Sequence, residues 1–137
     1  MIIGLGTDLC DTTRIAKTLE TYGERFINKL YTKSEQQAVE RRSHKRAAGY
    51  ALRFAAKEAC AKALGTGFRK GVYWTDMVLG NDELGKPELT LTNGALARLN
   101  ELTPTNMKPQ INITLTDEGP IAQAVVIISA VPDGDHS

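Results

Sequence analysis

The stretch Arg53-Phe-Ala-Ala-Lys-Glu-Ala-Cys-Ala-Lys-Ala-Leu-Gly-Thr-Gly67 constrains this chain more than any other feature. Alanine and long straight side chains are strong helix formers, and Gly65 is the residue type usually found just past a helix end. The pattern predicts a helix from roughly Lys45 to Leu64. Phe54, Glu58 and Lys62 stand four apart, so they stack along one face of it. That face runs into the turn Gly65-Thr66-Gly67, where backbone can approach a ligand closely. A carboxylate can hold a hard metal ion, and a lysine in the last turn can meet a phosphate. The face therefore suits metal-assisted phosphate chemistry. On an arbitrary helix the same residues would be only a surface ion pair worth ~0.2–0.5 kcal/mol.

The rest of the chain reads as one α+β domain. Ile2 to Leu5 form a short apolar strand ending at Gly6-Thr7-Asp8, and a helix follows from Asp11 or Thr12 to Gly23. Ser34 to Val39 look helical, with Thr32 or Ser34 as the cap. After Gly71 the period changes to two: Tyr73 to Leu79 and Glu88 to Thr92 read as strands around Gly80–Pro87. Asn93 can cap a short helix whose Leu96, Leu99 and Leu102 share a face. Ile111 to Thr116 and Ile121 to Ala130 form a hairpin around Asp117-Glu-Gly-Pro120. The domain is expected over residues 1–130, with 131–137 a polar, frayed tail.

Charge is divided unevenly. Residues 1–73 hold 14 Lys/Arg against 7 Asp/Glu, whereas residues 74–137 hold 3 against 9. A basic half suggests an anionic ligand or partner. The densest run, Arg41-Arg42-Ser-His-Lys45-Arg46, reads by itself as a solvated helix face or loop. Nothing matches zinc-finger spacing, a basic region with heptads or an aromatic RNA-binding signature, so nucleic acid is not expected. No apolar run nears the ~20 residues that span a bilayer. The start lacks a signal peptide's basic region and cleavage site, and Cys10 and Cys60 make no disulfide framework. These features point to a cytoplasmic protein.

Phe54, Lys57-Glu58-Ala59, Lys62-Ala63 and Gly65-Thr66-Gly67 resemble the signature of the acyl carrier protein synthases, which are phosphopantetheinyl transferases. Two further blocks keep the family's order: Gly4-Leu-Gly-Thr-Asp8 with Arg14, and Asn81-Asp-Glu-Leu-Gly-Lys-Pro87. The resemblance covers about Met1 to Ala130. It implies an antiparallel sheet packed on a long central helix. It also implies transfer of 4′-phosphopantetheine from coenzyme A to a serine of apo acyl carrier protein in fatty acid biosynthesis. Asp8 and Glu58 match the family's magnesium carboxylates and Arg14 its carrier-contacting arginine, and Glu58 and Lys62 are expected to be catalytic. The loop Gly85-Lys86-Pro87 is similar to the adenosine-side loop. Short members of the family form homotrimers with sites between subunits, and the same is expected here.

The residues themselves supply the chemical logic. Magnesium prefers oxygen ligands and is often held by one or two carboxylates plus phosphates and waters, which Asp8 and Glu58 provide. The glycine turn follows a helix C-terminus, whose macrodipole is negative, so it cannot act as a P-loop does. Lys62, Arg53 and the metal must supply the positive field for coenzyme A, with Gly65, Thr66 and Gly67 giving shape and N–H groups. Lys17 and Arg25 add positive charge near Arg14 for an acidic carrier. Many relatives carry histidine near the start of the last hairpin, but Asp117 stands there, and His44 and His136 do not align with it. The serine proton is left to Asp117, Glu35, Glu58 or a water held by the metal. Two rivals remain: another phosphoryl or nucleotidyl transferase, and a basic module that binds an acidic protein without chemistry.

Overall fold

The computed structural model describes residues 1–134, in the order β1 (Ile2–Asp11), α1 (Thr12–Tyr22), α2 (Glu24–Leu30), α3 (Lys33–Glu40), α4 (Arg46–Leu64), β2 (Met77–Asn81), β3 (Pro87–Leu91), α5 (Asn93–Leu102), β4 (Met107–Glu118) and β5 (Ile121–Pro132). β1, β5 and β4 form an antiparallel sheet in that order, and β2 with β3 makes a separate hairpin. The long central helix α4 lies along β1 and β5, as expected.

α4 is buried on most of its circumference, and its buried positions are largely small: Ala51, Ala55, Ala56, Ala59, Cys60, Ala61 and Ala63. Small side chains let the helix axis approach the sheet, and β1 answers with glycine. A Cβ on Gly6 would overlap the Ala59 carbonyl oxygen, and one on Gly4 would overlap that of Ala63. The Gly4-x-Gly6 pair thus serves backbone-to-backbone packing. From residue 54 to the end of α4, only Phe54, Glu58 and Lys62 escape full burial. The face drawn from their spacing is the one the fold leaves open.

Several boundaries differ from expectation for local reasons. β1 continues to Asp11 because Thr7 to Cys10 pair with Val125 to Ala122. Asp11 then caps α1, accepting the Thr13 N–H at 2.9 Å. The unexpected α2 follows a break at Gly23 (φ 53°) and buries Ile27 and Leu30. α3 starts at a Thr32–Glu35 capping box. The strand expected from Tyr73 begins only at Met77, since Trp74–Asp76 coil into a 3-10 turn. There the Asp76 carboxylate accepts the Tyr73 N–H at 3.2 Å. Thr92, not Asn93, stands at the α5 cap, without a side-chain hydrogen bond. In α5, Ala95 and Leu99 are buried while Leu96 is 40% exposed. β5 passes residue 130, pairing Val131 with Lys108 and Pro132 with Met107. The final part of the expected tail, 135–137, lies outside the described residues.

Candidate active site

Alternate residues of a strand face the same side, so Asp8 follows Gly6 toward α4. The close Gly6–Ala59 approach brings it beside the last turns of the helix. Lys62 Nζ donates to Thr7 O at 2.9 Å and to Asp8 Oδ1 at 3.2 Å. The Asp8 side chain is 17% exposed and that of Lys62 is 54% exposed. Glu58 is half-buried, and its carboxyl is held above the usual carboxylate range. Burial is the main cause and the Asp8 charge the second, with Lys62 opposing both. Two carboxylates and an ammonium therefore share one small site.

This donor set fits a hard divalent cation. Both candidate ligands are carboxylates, and a cation between them would relieve the Asp8 repulsion that adds to burial in raising Glu58. Among the described residues no group of three or more His, Cys, Asp or Glu is placed to hold a metal. Two carboxylates plus substrate phosphates and waters are the arrangement magnesium accepts.

The glycine turn is tighter than the sequence suggests. Gly65 is left-handed (φ 79°), with its N–H on Lys62 O at 3.0 Å, and the Gly67 N–H reaches Ala61 O at 3.2 Å. Two of the expected N–H donors are consumed by the helix cap itself. Phe54 is a packing residue, with its ring 5.2 Å from Trp74 and 6.5 Å from Phe26.

Arg53 belongs elsewhere. It lines a cleft of about 870 Å³ together with Arg41, Arg42, Lys45, Gly85, Pro87 and Asp117. Burial lowers the pKa of its guanidinium, and the titratable groups acting on it include Glu35, Tyr31, Tyr50 and Arg42. Arg53 Nη1 donates to Gly49 O at 3.2 Å, while Nε is buried without a partner. Lys86 is absent from the lining; its side chain is exposed, and its N–H donates to Asp82 Oδ1 at 2.9 Å. The candidate residues thus fall into two groups on different sides of α4.

Glu35 is removed as a base. It is 1% exposed, its Oε1 takes the Lys57 ammonium at 2.8 Å and its Oε2 the Leu79 N–H at 3.1 Å. Lys57 is equally buried and also donates to Trp74 O, at 2.9 Å, and to Met77 O. Asp117 is exposed beside the cleft. His44 is exposed in the 3-10 turn Ser43–Lys45, and His136 lies outside the described residues. Arg14 and Lys17 are exposed on α1, but Arg25 lies on α2, beyond the Gly23 break. Sequence reasoning passed over Arg41, Arg42 and Lys45, whose signal was the basic run itself. It also gave no role to Lys57, whose partners lie far off in sequence.

Comparison with known proteins places the chain in a family. Residues 4–116 match the 4′-phosphopantetheinyl transferase superfamily. The chain is 55% identical over 135 residues to the holo-acyl-carrier-protein synthase of Rhodopseudomonas palustris (strain HaA2), covering 96% of both chains. It is similar to the crystal structure of holo-acyl-carrier-protein synthase from Neisseria meningitidis, with a TM-score of 0.82 and 32% identity over 94% of this chain and 99% of that one. The corresponding synthase from Bacillus anthracis str. Ames, solved in complex with CoA (3′,5′-ADP), gives a TM-score of 0.74 and 29% identity over 93% and 96%. Over nearly its whole length, in sequence and in fold, the chain belongs to the 4′-phosphopantetheinyl transferase superfamily.

Proposed function

We propose that this protein transfers 4′-phosphopantetheine from coenzyme A to a serine of apo acyl carrier protein, with magnesium held by Asp8 and Glu58. The observation that carries the reading is the carboxylate pair with Lys62 Nζ 3.2 Å from Asp8, at the open end of α4. The serine Oγ forms a bond to the phosphorus bearing the pantetheine arm. The bond from that phosphorus to the bridging oxygen breaks, and adenosine 3′,5′-bisphosphate leaves. The metal, when bound, supplies a Lewis acid for the diphosphate oxygens. Lys62 supplies fixed positive charge beside them, and the Gly65-Thr66-Gly67 turn supplies shape. With Glu35 paired to Lys57, Asp117 and Glu58 are the carboxylates left from those considered for the serine proton.

The cleft of Arg53, Gly85 and Pro87 suits the adenosine end of coenzyme A, and Arg41, Arg42 and Lys45 make it cationic. Lys86 borders it through its loop. Because this half does not meet Glu58 within one chain, a homotrimer that joins the cleft of one copy to the carboxylate pair of the next explains the split. The outer face of the three-stranded sheet supports such an assembly: Leu5 and Leu9 are 64% and 63% exposed there. Leu5 and Thr7 sit opposite Ile127 and Val125. Arg14, Lys17 and Arg25 offer positive charge to an acidic carrier. Among the described residues no helix is long and apolar enough to cross a membrane.

The test is mass spectrometry of apo acyl carrier protein incubated with coenzyme A, magnesium and this protein. Gain of the phosphopantetheine mass is expected. Binding without modification would instead identify a basic docking module.

A further inference from the structure

Four carbonyls at the end of α4 have no partner within the helix, and the fold disposes of them one by one. Ala61 O takes the Gly67 N–H and Lys62 O the Gly65 N–H. Ala63 O is covered by Gly4 of β1. Leu64 O, the last of them, accepts Arg98 Nε–H at 2.9 Å from α5, 34 residues away in sequence. The guanidinium also lies over Gly65, where an added Cβ would be 3.5 Å from Nη2. Nη1 is 3.5 Å from Glu101, one turn along α5, and the Arg98 side chain is only 28% exposed. Arg98 is thus a partly buried cation aimed at the last carbonyl of the signature helix and at the first glycine of its turn.

An anion approaching this turn meets the negative end of a helix dipole, and two of the turn's N–H groups are already spent. We propose that Arg98 is a positioning residue for the coenzyme diphosphate. It neutralises the carbonyl end of α4 and holds Gly65-Thr66-Gly67 in one shape, so that phosphate meets a fixed turn flanked by the cations Lys62 and Arg98. The inference rests on the reading that this turn faces the phosphates of coenzyme A. Arg98 acts on the phosphates through the turn and through its charge; Lys62, 54% exposed, is the group free to touch them.

The experiment compares wild type, Arg98→Met and Arg98→Lys by coenzyme A titration calorimetry, steady-state kinetics and thermal melting. Arg98→Met should raise both the Kd and the KM for coenzyme A about 3- to 10-fold, the scale of one well-placed charge at a helix end. kcat and the KM for carrier protein should stay within about two-fold. Arg98→Lys should restore most of the loss, since an ammonium brings the charge and can still donate to Leu64 O. A fall in Tm and kcat with unchanged coenzyme A affinity would overturn the proposal and leave Arg98 a structural clamp. So would an Arg98→Lys variant as weak as Arg98→Met. Wild type that neither binds coenzyme A nor modifies the carrier would overturn the functional reading itself, and that result appears before any variant is made.

Discussion

Gly6→Ala tests the contact on which the site is built. A methyl group at Gly6 would overlap Ala59 O, stand 2.8 Å from Ala63 N and 3.0 Å from Ala59 C, all of them backbone atoms of α4. Carbon–oxygen contacts settle at ~3.3–3.6 Å even when attractive, so β1 and α4 must part by more than about 1 Å. No flexible side chain is there to yield. Overpacking of this kind costs ~1–3 kcal/mol, or a Tm lower by ~3–10 °C for a domain of this size. The catalytic cost lies at the upper end of that range. Parting the two elements moves Asp8 away from Glu58 and Lys62, and ~1 Å of misplacement costs ~10²-fold in rate. The assay is phosphopantetheine transfer followed by mass spectrometry, alongside a circular-dichroism melt. Gly80→Ala, whose added Cβ meets nothing within 4 Å, is the matched control for stability. A Gly6→Ala protein with wild-type Tm and turnover within three-fold of wild type would refute the backbone-to-backbone packing and the site geometry derived from it.

Three further outcomes follow from the same structure. Lys57→Met strands the buried Glu35 carboxylate and should cost ~3–5 kcal/mol, read as a Tm fall of ~10–20 °C. The double variant Lys57→Met/Glu35→Gln should recover part of that loss, and additive losses would show that the pair is not coupled. Glu58→Gln should lower turnover ~10²–10³-fold while raising the Tm of the metal-free protein. A carboxyl whose folded pKa is raised destabilises the fold once pH climbs past its unfolded value, and Gln removes that charge; a lower metal-free Tm would contradict the repulsion. Arg14→Glu should raise the KM for carrier protein and blunt its salt dependence while leaving the KM for coenzyme A alone. A joint shift in both constants would make Arg14 part of the site or of the assembly.

What could be read from the chain depended on the range of the interaction. The helix of alanines, its glycine stop and the alternating strands are local patterns, and they appear close to where expected. The Glu58–Lys62 face was legible because helical spacing alone makes it. Asp8 was legible only by resemblance, since its approach to Glu58 depends on two glycines packing on carbonyls of a helix about 50 residues away. The Lys57–Glu35 pair spans 22 residues and leaves no periodic trace. Arg98 was invisible for the same reason: its partner is a backbone carbonyl. α2 escaped because its seven residues are too few to set up a period distinct from that of α1.

Helical spacing along α4 bears on assembly. Arg53 and Glu58 are five residues apart on α4, and at 3.6 residues per turn they point ~140° away from each other. The structure agrees: Arg53 lines the cleft beside Gly85 and Pro87, while Glu58 faces Asp8 and Lys62. If one coenzyme A needs both, they must come from different copies. Mixing two inactive parents, Arg53→Ala and Glu58→Gln, tests this directly. In a cyclic trimer each site takes Glu58 from one copy and Arg53 from its neighbour. A site regains both when an Arg53→Ala copy supplies Glu58 and a Glu58→Gln copy supplies Arg53. Random one-to-one assembly should therefore restore about a quarter of wild-type sites. The mixture must be co-refolded or co-expressed so that subunits exchange, and activity is read per trimer. If each chain instead carried a whole site, no hybrid could hold both residues intact, and the mixture would show only the sum of its parents.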